Sequence, residues 1–244
     1  MGVGASDPGG RGCATWLRMR LTFALLTAIA ACFSLGIAQT AAQNGFYTLL
    51  FDINKDVLEK ARISIQNSLQ FLVDKEKITA AEKESIFQRV QFITDTNDCL
   101  ADIIIEAIVE KTEAKVAIFN QLAELNHAEV ILATNTSSLS VSGIQAGVRH
   151  PQRVVGMHFF NPVPAMKLVE VIPGSETSQE VIDVVVDLSL KIGKEPVPMK
   201  ESPGFIVNRI LVPYINEAAT LYQEGVASAE EIDKAMKLGA NMPM

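Results

Sequence analysis

An α/β fold with a doubly wound, mostly parallel sheet is the architecture that this sequence predicts. Short apolar runs of strand length alternate with longer segments in which apolar residues recur at helical spacing. Such alternation is typical of parallel strands joined by crossover helices. The polar candidate residues follow the ends of the apolar runs, and ligands of this fold class bind at the carboxyl ends of the strands. After residue 200 the pattern becomes purely helical and predicts the start of an all-α second domain.

The N-terminal segment differs from the rest of the chain, and we interpret residues 1–35 as an atypical apolar leader. Leu21–Ala38 carries no charge and follows a basic segment. This pattern is open to three interpretations: a signal peptide, a membrane span or a transit peptide. Leu21–Ala30 is expected to favour a continuous apolar helix over a strand and a turn. The sheet domain is then expected over 36–200 and the helical segment over 201–244.

The sheet domain divides into elements by length and periodicity. The predicted strands are uninterrupted apolar runs of about four to eight residues, and the predicted helices have apolar residues near a spacing of about 3.6 on a polar background. Strands are predicted at Phe46–Ile53, Val90–Ile93, Asp102–Ile108, Val130–Thr134, Arg153–Phe159, Leu168–Ile172 and Pro196–Met199, and helices at Lys55–Val73, Ala80–Arg89, Thr112–Leu125 and Ser178–Ile192.

Two further helices are predicted beyond the turn Ser202-Pro203-Gly204, which marks the domain boundary. Phe205–Tyr222 is predicted to be a helix that tolerates Pro213 with a kink. Ser228–Leu238 is predicted to be a second helix, with Ser228 as its N-cap and Gly239 as its C-cap. The chain stops there, so the second domain is expected to be truncated.

Composition excludes several classes of protein. With 244 residues and 48% hydrophobic content the chain can bury a sizeable core. A formal net charge of −7 argues against nucleic acid as a partner, although a few local lysines suffice for a phosphorylated ligand. The three cysteines, Cys13, Cys32 and Cys99, are widely spaced and lack metal-binding spacing. We therefore expect a reducing compartment and no metal site.

An acid/base pair is suggested by the segment Gly156–Ile172. His158 lies at the end of one strand-like run, and Glu170 lies inside the next, so two adjacent strands can bring them into contact. A carboxylate that fixes the tautomer of an imidazole makes it a better proton acceptor. A histidine at a strand end, taken alone, is more often structural.

The residues around this pair resemble the active-site segment of the 3-hydroxyacyl-CoA dehydrogenases. The resemblance is carried by His158-Phe159-Phe160-Asn161-Pro162 and by Met166-Lys167-Leu168-Val169-Glu170-Val171, and it extends from about Gly36 to Met244. It implies NAD-dependent oxidation of (3S)-3-hydroxyacyl-CoA to 3-oxoacyl-CoA, in fatty-acid β-oxidation or butanoate metabolism. In that reaction the counterpart of His158 is the general base, and that of Glu170 orients it.

Asp52 ends a predicted strand at an offset from Gly36 that is close to the one at which a Rossmann fold places an acid on the adenosine ribose. Such an acid selects NAD over NADP. The alternative is that Asp52 caps the helix that starts near Lys55. The two roles are compatible.

The glycine-rich loop of a dinucleotide site is missing at the expected position. If Gly36-Ile37-Ala38 keeps the register of the family, the three glycines fall on Ile29, Ala31 and Ser34. Glycine is needed there for a tight turn, for close approach of the backbone to the pyrophosphate and for helix packing. We expect the affinity for NAD to be low for this reason.

The resemblance also assigns the remaining site residues. It implies that Glu110, Lys115, Ser137 and Asn161 approach the cofactor, that Ser137 and Asn208 contact the substrate 3-oxygen, and that Ser68 and Lys75 contact the CoA moiety. Without it, Glu110 and Lys115 would be charges at a helix start, Ser137 a turn or cap residue, and Ser68 and Lys75 solvated surface.

Partners and location follow from the same interpretation. We expect an acyl-CoA substrate, no nucleic acid, no membrane, and a homodimer if the C-terminal domain were complete. A cytoplasmic location is expected, with the mitochondrial matrix as the alternative. Two other functions stay open at this point: a non-catalytic relative that has lost cofactor turnover, and an exported or membrane-tethered protein.

Overall fold

The structure is a computed structural model that describes residues 22–27 and 31–242. Its strands and helices alternate along most of the chain. The strands are β1 (Thr22–Thr27), β2 (Tyr47–Phe51), β3 (Val90–Ile93), β4 (Ile103–Ala107), β5 (Ile131–Thr134), β6 (Val154–Phe159), β7 (Leu168–Pro173) and β8 (Glu195–Pro198). The helices are α1 (Ala31–Gln43), α2 (Lys55–Asp74), α3 (Ala80–Phe87), α4 (Thr112–Leu125), α5 (Val141–Gln145), α6 (Gln179–Lys191), α7 (Val207–Gln223) and α8 (Ala229–Ala240).

The described strands form one sheet in the order β3-β2-β1-β4-β5-β6-β7-β8. β1 to β6 are parallel, β7 runs antiparallel to β6, and β8 runs parallel to β7. The order reverses direction at β1, between β2 and β4, which is the switch point at which this fold class binds its ligands. The prediction of a doubly wound, mostly parallel sheet followed by helices is confirmed.

Helices cover both faces of the sheet, which explains why the central strands are apolar throughout. In β4, Ile103 and Ile105 belong to a core cluster shared with α1, α2 and α6. Ile104, between them, belongs to a second cluster, shared with α4 and α5. Side chains of a strand alternate between the two faces, so one continuous apolar run supplies both cores.

The expectation of a continuous apolar helix over Leu21–Ala30 is wrong where the structure describes it. Thr22–Thr27 is a strand, β1, at the centre of the sheet, paired in parallel with β2 and β4. Hydrogen bonding to strands on both edges outweighs the helical propensity of the leucines and alanines. Leu21 and residues 28–30, including Ile29, lie outside the described residues. The sheet therefore begins inside the segment interpreted as a leader.

The two C-terminal helices lie where the sequence places them, with one correction at the last cap. Ser228 is the N-cap of α8, as predicted, but the helix continues through Gly239. Asn241 ends it in the left-handed conformation (φ 53°) and donates its N–H to the carbonyl of Met236. Asparagine tolerates this conformation better than most residues and replaces glycine as the cap. Within residues 22–27 and 31–242, no helix is long and apolar enough to cross a bilayer.

Candidate active site

His158 and Glu170 face each other across the antiparallel pair β6–β7. They are directly opposite in the register of the two strands. His158 Nδ1 lies 2.7 Å from Glu170 Oε2, and both side chains are buried. Because a carboxylate only accepts hydrogen bonds, Nδ1 carries the proton and Nε2 is left as the acceptor. The contact expected for an acid/base pair is therefore present.

The other carboxylate oxygen of Glu170 is held by the second domain. Its Oε1 accepts hydrogen bonds from the backbone N–H groups of Ile206 and Val207, both at 3.0 Å. Ile206 is the N-cap residue of α7, and Val207 is its first helical residue. The N–H groups at a helix start have no partner within the helix and carry partial positive charge. They stabilise the buried charge of Glu170, so α7 completes the pair.

Aromatic rings enclose the imidazole of His158. The rings of Phe160 and Phe205 lie 4.5 Å and 5.6 Å from it, centroid to centroid. The strand end that carries His158 is fixed by Asn135, whose Oδ1 accepts the N–H of Phe159 at 2.8 Å. Rotation of the imidazole is therefore restricted by both packing and backbone contacts.

Glu110 organises the loop that follows β5. Its Oε1 accepts hydrogen bonds from the hydroxyl of Thr136 and from the N–H of Ser137, the latter at 3.0 Å, and its Oε2 lies 3.2 Å from the ammonium of Lys115. Burial raises the pKa of Glu110, but the hydrogen bond from Thr136 and the charge of Lys115 lower it by more in sum. Its pKa is therefore below the usual value, and Glu110 is an anion that holds Ser137 in place.

Lys115 lies between two carboxylates. It is 1% exposed, and its ammonium is also 2.7 Å from Oε1 of Glu106. Burial raises the pKa of Glu106, which Lys115 and a hydrogen bond from Thr134 counteract only in part. Because its ammonium is enclosed by these carboxylates, we propose that Lys115 acts on the cofactor through Glu110.

Ser137 and Asn208 come from different domains and meet at the site. Ser137 is exposed in the loop after β5, and Asn208 is in the first turn of α7. Asn208 Nδ2 lies 3.5 Å from the carbonyl oxygen of Ser137, at the long end of the hydrogen-bonding range. Their proposed contact with the substrate 3-oxygen stays a prediction.

The acid predicted at the ribose lies at the end of β2. Asp52 is 2% exposed, and its Oδ1 accepts the N–H of Asn54 at 2.8 Å. Asn54, not Asp52, is the N-cap of α2, because Asn54 Oδ1 accepts the N–H of Asp56. The alternative of a cap by Asp52 is thus wrong, since the helix begins at Lys55, two residues too late for Asp52 to be its N-cap.

Strand β1 and helix α1 show how far the chain fits NAD. The strand and the helix of a dinucleotide site are present, and added bulk at Gly36 would meet the β6–β7 loop, because a Cβ there would lie 2.7 Å from Cβ of Val163. Ser34, however, is fully buried, and its hydroxyl has no hydrogen-bond partner among the described residues. Asp52, Glu110 and the helix start fit the cofactor, and Ser34 departs from the pattern only at the helix packing.

The residues predicted to contact CoA and nicotinamide are placed as follows. Ser68 is half-buried on α2, and Lys75 is the exposed C-cap of that helix, with its ammonium 5.6 Å from the centre of the Phe71 ring. Asn161 follows β6 in the loop to β7. Their roles stay predictions. Among the described residues, no group of three or more His, Cys, Asp or Glu side chains could hold a metal ion.

Comparison with protein families decides the identity. Residues 31–202 match the family model described as 3-hydroxyacyl-CoA dehydrogenase, NAD binding domain, and residues 204–244 match the model of the C-terminal domain. The chain belongs to the 3-hydroxyacyl-CoA dehydrogenase family. The family membership that the resemblance implied is confirmed, and NAD is the cofactor of the first domain of the chain.

Three relatives in this family match most of this chain and about two thirds or more of their own length. The chain is 50% identical over 210 residues to 3-hydroxybutyryl-CoA dehydrogenase of Clostridioides difficile, covering 86% of this chain and 75% of the relative. It is 44% identical to mitochondrial hydroxyacyl-coenzyme A dehydrogenase of Homo sapiens, covering 86% and 69%. The crystal structure of (S)-3-hydroxybutyryl-CoA dehydrogenase from Ralstonia eutropha matches with a TM-score of 0.87 and 43% identity, covering 91% and 78%.

Sequence reasoning missed the groups that support the dehydrogenase site. These include the acid Glu106, which interrupts the apolar run of β4 and is buried; a single charge inside such a run could have revealed it, because buried charges need partners. No sequence pattern could have shown that the N–H groups of Ile206 and Val207 bind Glu170, since every residue type except proline supplies a backbone N–H.

Proposed function

We propose that this member of the family catalyses the NAD-dependent oxidation of 3-hydroxyacyl-CoA to 3-oxoacyl-CoA in fatty-acid β-oxidation or butanoate metabolism. The observation that carries the proposal is the buried contact of 2.7 Å between His158 Nδ1 and Glu170 Oε2 at the carboxyl end of β6. The sheet with this pair belongs to a domain whose family binds NAD. Relatives that the chain matches over 210 and 216 residues are named 3-hydroxybutyryl-CoA dehydrogenase and mitochondrial hydroxyacyl-coenzyme A dehydrogenase.

His158 acts as the general base in this proposal. Its Nε2 accepts the proton of the substrate 3-hydroxyl, while Nδ1 keeps its own proton and donates a hydrogen bond to Glu170. The imidazole becomes positively charged, and the adjacent carboxylate stabilises that charge. The α7 N–H groups at Oε1 hold the carboxylate in position during the transfer.

Ser137 and Asn208 are proposed to orient the substrate 3-oxygen as it changes from hydroxyl to carbonyl. Glu110 holds the backbone of Ser137 in the loop after β5, and α7 carries Asn208, so each domain supplies one of the two groups. Pre-aligned donors of this kind favour the developing carbonyl over the bound alcohol. NAD, when bound, supplies the nicotinamide that accepts the hydride released from C3.

The direct test is an assay of the purified chain with (3S)-3-hydroxybutyryl-CoA and NAD, following the appearance of NADH. We expect slow but measurable turnover that is stereospecific for the 3S substrate. A series of longer 3-hydroxyacyl-CoA substrates then defines the preferred acyl-chain length. Tight acyl-CoA binding with no NADH production, at saturating NAD, would favour the non-catalytic alternative.

A homodimer through α7 is the arrangement that we propose for the assembled enzyme. One face of α7 exposes Leu211, Val212 and Ile215 by 43%, 61% and 56%. Contiguous apolar patches on a helix mark interaction surfaces. Sedimentation velocity of the chain and of its Ile215→Lys variant tests this: the parent is expected to associate and the variant to be monomeric.

The cytoplasmic location, with the mitochondrial matrix as its alternative, also stays a prediction. β1 begins at Thr22, so a variant that lacks residues 1–20 keeps the sheet. Comparing the location of the full chain with that of this variant shows whether the first residues direct the protein to a compartment.

A further inference from the structure

Two consecutive residues before α7 have left-handed backbone conformations. Gly204 has φ 73°, which glycine adopts without steric cost, and Phe205 has φ 54°. A phenylalanine in this region is strained, because its Cβ crowds the following carbonyl oxygen. Strained residues of this kind persist only where the surrounding structure enforces them, and they concentrate at functional sites. Turn formation alone therefore does not explain the left-handed backbone conformation of Phe205.

The contacts of Phe205 lead to the acid/base pair. Its side chain is 3% exposed, packs with Val141 and Ile172, and lies 5.6 Å from the imidazole of His158. The turn is closed by hydrogen bonds from the N–H of Phe205 to the carbonyl of Ser202 and from the N–H of Arg209 to the carbonyl of Gly204, at 2.8 Å and 2.9 Å. The next two N–H groups are the ones that bind Glu170 Oε1.

We propose that Phe205 is a positioning residue for the His158–Glu170 pair. Its left-handed backbone directs the first N–H groups of α7 at Glu170, and its ring confines the imidazole that Glu170 orients. The residue belongs to the start of the second domain, so this domain sets the geometry of a base that lies on the first. The kinetic consequence rests on the proposed function, whereas the effect on the hydrogen bond between His158 and Glu170 does not.

The competing explanation is that Phe205 only fills the gap between α7 and the sheet. Substitutions at Phe205 separate the two explanations. Phe205→Gly keeps the left-handed turn without strain but removes the ring, and Phe205→Leu keeps apolar volume against Val141 and Ile172 while removing the aromatic contact. Phe205→Tyr keeps the ring and serves as the conservative control.

The test is nuclear magnetic resonance of the ligand-free chain with ¹⁵N-labelled histidine. Its three histidines give three sets of imidazole signals, so His127 and His150 serve as internal controls. In the parent we expect a far-downfield, slowly exchanging Nδ1 proton on His158, because it is held by a buried carboxylate at 2.7 Å. Exchange with solvent should become about tenfold faster in Phe205→Gly, less so in Phe205→Leu, and stay unchanged in Phe205→Tyr.

The kinetic arm uses the same variants. For Phe205→Gly we expect kcat to fall about tenfold, with the KM values of both substrates little changed, since the base is misplaced and neither binding surface is altered. A lower melting temperature together with an unaltered His158 proton in both Phe205→Gly and Phe205→Leu would overturn the proposal and leave Phe205 as packing. A parent without activity whose His158 proton still responds to Phe205 would refute the proposed function and not this inference.

Discussion

The two ends of the catalytic domain differ in how well they keep the pattern of the family. At the β6–β7 end, His158 and Glu170 are paired, buried and held by a network that reaches into the second domain. At the β1–α1 end, the strand and helix are present, but Ser34 occupies a position expected for glycine, and its buried hydroxyl has no hydrogen-bond partner among the described residues. The proposed acid/base pair keeps its contact, whereas the proposed cofactor end departs from the family pattern at Ser34.

This difference teaches that backbone architecture and side-chain chemistry can be lost independently. The β1 strand forms although the sequence around it lacks the usual glycines, because pairing with β2 and β4 fixes it from both sides. Those partners impose no requirement on the sequence that follows. The acid/base pair, in contrast, depends on two specific side chains in one register. The following predictions test whether the β6–β7 end and the β1–α1 end differ in function as they differ in how well they keep the family pattern.

The largest expected effect is that of His158→Gln. Removing the base should lower kcat by about 10²–10⁴-fold, because a positioned base contributes on that order. His127→Gln and His150→Gln are matched controls: His127 is half-exposed beside Asp102, and His150 precedes the turn Pro151–Arg153. Steady-state turnover of 3-hydroxybutyryl-CoA measures the effect. A His158 variant as active as its parent would show that the base lies elsewhere.

Glu170→Gln should have the next largest effect, lowering kcat by about 10²-fold, the low end of what a positioned acid/base group contributes, with an intact fold and little change in acyl-CoA binding. Both carboxylate oxygens of Glu170 accept hydrogen bonds, and an amide has only one acceptor oxygen. If that oxygen stays with the α7 N–H groups, the amide donates to Nδ1 of His158 and forces the proton onto Nε2, the wrong tautomer for a base.

Glu201→Gln is the matched control for this substitution. Glu201 also accepts from a helix start, the N–H of Ser142, but it has no histidine partner among the described residues. Its substitution should leave kcat unchanged. Equal activity of the Glu170 variant and the parent, measured over a range of pH, would demote Glu170 to a structural role.

The elements of the fold and of the site could be predicted from the sequence to different degrees, depending on whether their conformation is set locally or by distant partners. Strand β3 and helix α4 were predicted to the residue because their periodicity is local. The five-residue helix α5 was missed, since it is too short to show a period, and β1 was misjudged because its conformation depends on distant partners. The pairing of His158 with Glu170 followed from the strand pattern, whereas the left-handed backbone of Phe205 has no marker in its own residue type.

Weak NADH binding is the third expected effect and the sharpest test of the comparison. Because β1 is already a strand, only the glycines need to be restored, in the variant Ile29→Gly/Ala31→Gly/Ser34→Gly. We expect the parent to bind NADH at least about tenfold more weakly than this variant, a difference of about 1.4 kcal/mol. Fluorescence titration measures both affinities, and Ala80→Gly, at the exposed start of α3, controls for an added glycine. Micromolar binding by the parent would contradict the prediction.

The smallest effect is expected from Ser34→Ala, which tests the altered end without the cofactor. The hydroxyl of Ser34 is fully buried and unpaired among the described residues, and alanine removes this unfavourable group at a helical position that it favours. The variant should be more stable by about 1 kcal/mol, which raises the melting temperature of a chain of this size by about 2–4 °C.

Ser189→Ala is the control, because the buried hydroxyl of Ser189 donates to the carbonyl of Val185 at 2.7 Å and its removal should bring no gain. Thermal denaturation measures the melting temperatures of both variants. A Ser34→Ala variant less stable than the parent would mean that the hydroxyl of Ser34 has a hydrogen-bond partner. The β1–α1 end would then be better packed than the loss of its glycines indicates.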